Sequence, residues 1–486
     1  MSRKVLILAN IGNRDVTCAG NFVSPAREKG AELLGRYAEV SADLDLPILL
    51  PALRYVGSLE YKYPEVSNEK DLTLRLFCTD QDDPDHRKND TLELASIAKA
   101  KLLEEFSQSQ KSVLRFKGQN AIHLNKVSSN PSRYDYMHGF YEDFFEQNRH
   151  IRNPDEYLCF VLLSGGTPQM NAMLLLHSVR HFGSNCVQVY VSPGEEAKSL
   201  RVGARIARTD ARRRFNEALR VRQFRAAAEI AEDAFEGAAG REAACRYAEH
   251  RLAFDFKRAR EHCDRSLQVG ERALEDFLEK HLEEINRLEA EATTGKDKKR
   301  LLAELFYNLE VKYRSGEFVD VLGRMFRLQE ALLTWIVEGY TGIRTGKRKK
   351  LLPDQEDAVD AVPGLMESLT HYKTADGNKL EMGREINRVA LMAVTKHLST
   401  PGSGLAPEDQ TRAANAATTA ANIEKLVNLR NKTVIAHGFE GVSEEDIVRI
   451  YDSDSLIEDL RTSVGEALNR DLSTNPFFDL AEKLRF

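Results

Sequence analysis

Residues 157–183 read YLCFVLLSGGTPQMNAMLLLHSVRHFG, and their interpretation decides the fold of the N-terminal part of the chain. Tyr157 to Leu163 form a continuous apolar run of strand length, the pattern of a strand buried on both faces of a parallel sheet. Ser164, Gly165 and Gly166 supply a tight turn. Thr167 then stands where a helix N-cap is expected, with Pro168 at the first helical position, and the helical pattern runs on to Phe182 and Gly183. A strand followed by a glycine loop and a helix start presents unpaired backbone N–H groups and the positive end of a helix dipole, the place where phosphate is received. Gly165 and Gly166 are equally explained by a close strand-to-helix connection. The spacing GxGxxG is absent and no GK[ST] follows, so neither a dinucleotide-binding dehydrogenase nor a P-loop NTPase is supported.

Three other runs share the texture of the 157–163 strand: KVLILAN (4–10), TLRLFCTD (73–80) and CVQVYVS (186–192). Alternating with helical stretches, they predict an α/β, Rossmann-like domain with a parallel sheet over residues 1–195. Ligands of such sheets bind beyond the carboxyl ends of the strands. The first strand ends in a polar loop containing Asn10, Gly12, Asn13, Arg14 and Asp15. Thr79, Asp80 and Gln81 follow the run LRLFC at the same edge.

Beyond residue 195 the texture changes. Residues 212–235, RRRFNEALRVRQFRAAAEIAEDAF, have helical periodicity rich in Arg, Ala and Glu, so 196–295 is expected to be an all-α connector. After the polar breaker TTGKDKK (293–299) a second all-α region is expected over 296–486, interrupted by GIRTGKRKKLLPDQ (342–355) and LSTPGSGLAPEDQ (398–410). No internal repeat of fixed period is present. A length of 486 residues suits two to four domains, and 42% hydrophobic and 30% charged residues with a net charge of -6 describe a soluble globular protein without a general nucleic-acid-binding coat.

In the last region, ANIEKLVNLRNKTVIAHG (421–438) places Ile423, Val427, Arg430, Val434 and His437 at steps of three and four, which predicts one helix face. On a continuous helix Arg430 and His437 would be roughly 10 Å apart along the axis and offset by about 20°. The pair His437–Gly438 also has the composition of a helix C-terminus, with an imidazole near unpaired carbonyls and a glycine at the cap.

The six cysteines, Cys18, Cys78, Cys159, Cys186, Cys245 and Cys263, are scattered without CxxC pairs or metal-ligand spacing, and a cytoplasmic location is expected. The apolar run after SRK stops at Asn10 and is read as a strand, not a signal peptide. No apolar run is long enough to span a bilayer.

ANIGNRD after the first strand and LLSGGTPQM after a later one, joined to a helical region with RNKTVIAHG, together resemble the CARF–HEPN ribonucleases associated with type III CRISPR systems. The resemblance implies a CARF sensor at 1–195 that binds a cyclic oligoadenylate, tetra- or hexa-adenylate, and a HEPN ribonuclease at 296–486. The binding residues it implies are Asn10, Gly12, Asn13, Thr79, Asp80, Gln81, Ser164, Gly165, Gly166, Thr167, Gln169 and Met170. Arg430, Asn431 and His437 become the catalytic set, acting on single-stranded RNA without a metal or other cofactor. The RNA 2′-hydroxyl would attack its own phosphate to leave a 2′,3′-cyclic phosphate, with His437 handling a proton and Arg430 stabilising charge on the phosphorane. A homodimer is implied, since two antiparallel copies of the segment would bring two Arg and two His into one groove.

The run Lys347, Arg348, Lys349 and Lys350 is a candidate phosphate contact or a solvated loop. LTWIVEGY (333–340) is read as helix core. His138, His177 and His181 lack a third partner and are assigned no metal. The alternative function is a non-catalytic nucleotide sensor whose helical domain recruits a partner.

Overall fold

The computed structural model describes residues 3–67, 72–108, 113–148, 151, 153–192, 196–295, 297–346, 348–374 and 377–485. The chain divides into two compact units, Met1–Arg212 and Arg213–Phe486.

The first unit is built on six strands: β1 (Lys4–Asn10), β2 (Leu72–Thr79), β3 (Ile122–Val127), β4 (Tyr157–Leu162), β5 (Cys186–Tyr190) and β6 (Lys198–Leu200). Their order is β3-β2-β1-β4-β5-β6. The first five are mutually parallel and β6 closes one edge antiparallel to β5. The apolar runs are continuous because both faces are covered. Val5, Ile7 and Ala9 of β1 enter one core, and Leu6 and Leu8 the other. Helices α1 (Ala26–Gly35) and α2 (Leu92–Gln108) serve the first core, α3 (Tyr134–Gln147) and α4 (Pro168–Phe182) the second. In the second core the Phe77 ring meets Tyr141 and Phe144 edge-on at 5.1 and 4.9 Å, a geometry aromatic quadrupoles favour.

Two strands escape the reading by apolar runs. The sequence of β3, IHLNKV, alternates polar and apolar residues because it pairs with β2 alone and is less covered than the central strands. The short segment KSL of β6 is polar for the same reason.

The chain leaves β1 for β2 and β3 on one side and returns to β4 on the other. The loops after β1 and β4 therefore flank the point where the winding reverses, and a crevice opens there in sheets of this type.

The second unit is helical throughout. Residues 213–295 of the expected connector and the region after it fall within this one unit. Three helices are locked together by a buried polar cluster: α5 (Ala239–Leu252), α6 (Arg272–Thr294) and α7 (Lys299–Arg314). Arg251 of α5 donates bidentately to Glu304 of α7 at 2.7 and 2.6 Å, and also to Tyr247 at 2.5 Å. His281 of α6 completes the cluster, 2.8 Å from the same guanidinium. Burial, reinforced by that positive charge, pushes the His281 pKa down to about 3.

Four further helices carry the C-terminal site: α8 (Phe318–Thr341), α9 (Arg388–Leu398), α10 (Pro407–Glu424) and α11 (Val427–Asn431). The alanine-rich stretch lies in α10, where Ala413, Ala416, Ala417 and Ala420 are buried. Their short side chains let α10 pack closely against α8 and the helix Leu456–Leu468. Leu333, Ile336 and Val337 of LTWIVEGY are buried as expected of core.

Candidate functional site

In the first unit the loops after β1 and β4 touch through their main chains. A Cβ at Gly12 would lie 2.7 Å from the Gly166 nitrogen, one at Gly166 would lie 2.7 Å from the Asn10 Cβ, and one at Gly165 would strike the Asn10 carbonyl oxygen. Gly166 also has φ +76°, which side-chain-bearing residues seldom adopt. These glycines are required by close approach. Among the described residues the backbone N–H groups of Gly165, Gly166 and Thr167 have no hydrogen-bond acceptor.

Thr167 is the N-cap of α4, its Oγ accepting from Met170 N at 3.2 Å and donating to the Pro131 carbonyl at 2.7 Å. Asn10 is 2% exposed. Its Oδ1 accepts from the Tyr141 hydroxyl at 2.5 Å and its Nδ2 donates to Asn171 at 2.9 Å. Burial raises the Tyr141 pKa, which keeps the phenol protonated as that donor. Ser164 Oγ accepts from Val191 N at 2.7 Å, and Met170 is wholly buried in the core. Asn10, Ser164 and Met170 thus shape the loops, whereas Asn13 and Gln169 reach the surface.

Thr79, Asp80 and Gln81 lie at the end of β2 and are engaged internally. Thr79 and Thr91 exchange backbone-to-hydroxyl bonds at 3.0 Å. Gln81 binds the buried Asp90 carboxylate through its backbone N–H at 2.8 Å and its amide at 2.9 Å. Asp80 is held by Arg27 at 3.2 Å and Lys126 at 3.0 Å, and hydrogen bonding to Lys126 lowers its pKa.

In the second unit Arg430 and His437 line one cleft of about 550 Å³ with residues of α8 and α9, by a route other than the expected one. The segment is not one helix: α10 ends at Glu424, α11 at Asn431, and residues 432–437 form a compact turn. Thr433 is buried and its hydroxyl donates to the Arg430 carbonyl at 2.7 Å. The Gly438 and Glu440 N–H groups return to the Thr433 and Lys432 carbonyls at 3.1 and 2.8 Å. Gly438 lies so close to Lys432 that a Cβ would collide with that carbonyl, and its φ is not positive. Close packing, not a left-handed cap, explains this glycine. Three successive β-branched residues, Thr433, Val434 and Ile435, carried the signal against helix.

The Arg430 guanidinium lies 4.4 Å from the Phe326 ring centroid and donates to Asn431 Oδ1 at 2.9 Å. Arg388 reaches the same ring at 5.7 Å and pairs with Glu424 at 2.7 Å. Phe326 and Arg388 were invisible to local pattern reading, because neither is near 430–438 in sequence. His437 is exposed and makes no side-chain hydrogen bond among the described residues. Beside it Val434, Ile435 and Phe439 are exposed, Phe439 at 93%.

His138 and His177 are in ring contact at 4.6 Å, and His181 bonds the Ile151 carbonyl at 2.7 Å. No group of three or more potential metal ligands occurs among the described residues. Lys347 lies outside the described residues, and Arg348 and Lys349 are exposed. No helix among the described residues is long and apolar enough to cross a membrane. All six cysteines are free thiols.

Residues 290–460 match the family model described as the Csm6 HEPN domain. This segment is similar to the HEPN domain of Csm6. It contains the cleft, Arg430, Asn431 and His437, and the turn that joins them. The whole chain is similar in fold to Enterococcus italicus Csm6 bound to cyclic hexa-2′-fluoro-hexa-dAMP, with a TM-score of 0.54, 12% identity and 99% of each chain covered. The α/β unit followed by helices thus shares the fold of that Csm6 structure. No curated protein matches the sequence.

Proposed function

We propose that the protein is a single-stranded RNA endoribonuclease of type III CRISPR defence, switched on by a cyclic oligoadenylate and independent of metal ions. The observation that carries this reading is the placement of Arg430 and His437 on one cleft within a Csm6-type HEPN domain. In the reaction the RNA 2′-oxygen bonds to the adjacent phosphorus as the bond from phosphorus to the 5′-oxygen breaks. The proton of the 2′-hydroxyl is removed and one is delivered to the departing 5′-oxygen. His437 serves these transfers, and Arg430 stabilises the added negative charge on the phosphorane. Stacking on Phe326 and the bond to Asn431 fix the guanidinium in advance, so little reorganisation accompanies charge development.

Two proton transfers require two groups, and a homodimer supplies two copies of His437. The exposed apolar side chains of Val434, Ile435 and Phe439 around it favour coverage by a second copy. For the sensor, the unpaired N–H groups at Gly165, Gly166 and Thr167 and the N-terminus of α4 suit the phosphates of a cyclic oligoadenylate. The E. italicus relative carries a ligand of that class.

The test is cleavage of a fluorescent RNA in excess EDTA with cyclic tetra- and hexa-adenylate added separately. Cleavage that depends on one ring and on the 2′-hydroxyl supports the reading. Binding of a ring without any cleavage would favour a sensor that recruits a partner, and cleavage restored only by a divalent ion would overturn the mechanism.

A further inference from the structure

The carboxyl of Asp15 lies between the two loops of the crevice and is 1% exposed. Its Oδ2 accepts from Gly12 N at 2.6 Å, and a Cβ at Gly165 would lie 2.6 Å from the same oxygen. The side chain thus bonds to the first loop and backs the second. It makes no ion pair among the described residues.

We propose that Asp15 is a positioning residue of the messenger site, setting the separation of the two glycine loops and doing so as the uncharged acid when a cyclic oligoadenylate is bound. The inference rests on the messenger reading given above. Its basis is electrostatic. The phosphates of the ring would be received at the N–H groups of Gly165 and Gly166, and Asp15 stands directly behind Gly165. An ionised carboxylate there would oppose every phosphate, in a setting where water screens little. A neutral carboxyl keeps an oxygen to accept from Gly12 and removes the repulsion.

The surrounding charges do not offset Asp15. On its own loop Arg14 is exposed and lies over the Phe22 ring at 5.8 Å. The loop 163–167 contains no titratable residue. Tyr141, reaching the crevice from α3, is an uncharged phenol held on Asn10. At the end of β2, Arg27 and Lys126 are engaged with Asp80 and Asp90. Burial outweighs the Gly12 bond and raises the Asp15 pKa to about 7, so the proton is within reach at neutral pH.

The experiment measures binding of cyclic tetra-adenylate and cyclic hexa-adenylate to the full chain by calorimetry between pH 6 and 8.5, in buffers of different ionisation enthalpy. For the ring that binds, the inference expects Kd to rise up to about tenfold per pH unit above about 7, with a proton taken up on binding. Asp15→Asn should bind with a Kd independent of pH, close to the low-pH value of the unaltered protein. Asp15→Ala, lacking the clasp, should bind more weakly at every pH. If neither ring binds the unaltered protein, the messenger reading itself fails. If one binds with a pH-independent Kd and no proton uptake, the inference about Asp15 is overturned and the messenger reading stands. The unaltered protein alone decides this, whether or not the variants fold.

Discussion

The guanidinium of Arg430 lies over the ring of Phe326, 4.4 Å from its centroid, although 104 residues separate the two in sequence. Helix α8 therefore aims a residue of α11. Phe326→Leu keeps an apolar side chain in the core and removes the π face. A cation–π contact of about 0.5–2 kcal/mol predicts a 2- to 30-fold fall in kcat at saturating messenger. RNA cleavage compared with messenger binding checks this, since binding should not change.

His437→Ala should abolish cleavage and leave the thermal melt almost unaltered. The imidazole is exposed and holds no other side chain, so its removal should destabilise by no more than about 0.5 kcal/mol. A loss near 1 kcal/mol with activity retained would reinstate a capping role.

Gly438→Ala and Gly441→Ala form a matched pair. A Cβ at 438 collides with the Lys432 backbone, whereas one at 441 meets nothing within 4 Å. Opening the turn would carry His437 away from Arg430, so Gly438→Ala should lose at least about tenfold in cleavage. Gly441→Ala should match the unaltered protein in the same assay.

In the first unit, Gly166→Ala places a side chain at φ +76° and 2.7 Å from the Asn10 Cβ. A left-handed conformation costs a non-glycine residue roughly 1–2 kcal/mol, and the collision adds to it. The half-activating concentration of cyclic oligoadenylate should rise at least about tenfold, with basal cleavage unchanged.

His281 links stability to pH. Its pKa in the folded protein is about 3, below the value near 6.5 of an unfolded chain. The unfolded state therefore gains a proton that the folded state does not as pH falls below about 6.5. The resulting stability is present above that pH and is lost at up to about 1.4 kcal/mol per unit between about 6.5 and 3. His281→Gln should flatten the dependence of Tm on pH in this window relative to the unaltered protein.

The central strands were legible in the sequence because burial on both faces leaves an uninterrupted apolar run, as in KVLILAN and YLCFVL. IHLNKV was not, since an edge strand satisfies its pairing with fewer apolar contacts. At residues 421–438 the shared side of Arg430 and His437 was legible and the local geometry was not. Steps of three and four place Arg430 and His437 on a common side, and the folded chain brings them to a common cleft, but through a turn nucleated by buried Thr433. Polarity at the end of β2 did not reveal how the side chains there are engaged. Thr79, Asp80 and Gln81 look available in sequence, yet residues such as Thr91, Asp90 and Arg27 occupy their hydrogen-bonding groups. Only three-dimensional pairing distinguishes a polar residue that waits for a ligand from one already satisfied.

The contact of Gly12, Gly165 and Gly166 gives the crevice a floor of main chain. Such a floor is nearly closed to evolutionary adjustment, because a Cβ at Gly12 or Gly165 meets backbone and one at Gly166 meets the Asn10 side chain. On the proposed messenger reading, drift toward a different ring would arise at the rim, where Asn13 and Arg14 are exposed and Gln169 is partly so. On that same reading, homologues that share the glycines and differ at these three positions would recognise the same phosphates and diverge in the ring they answer to.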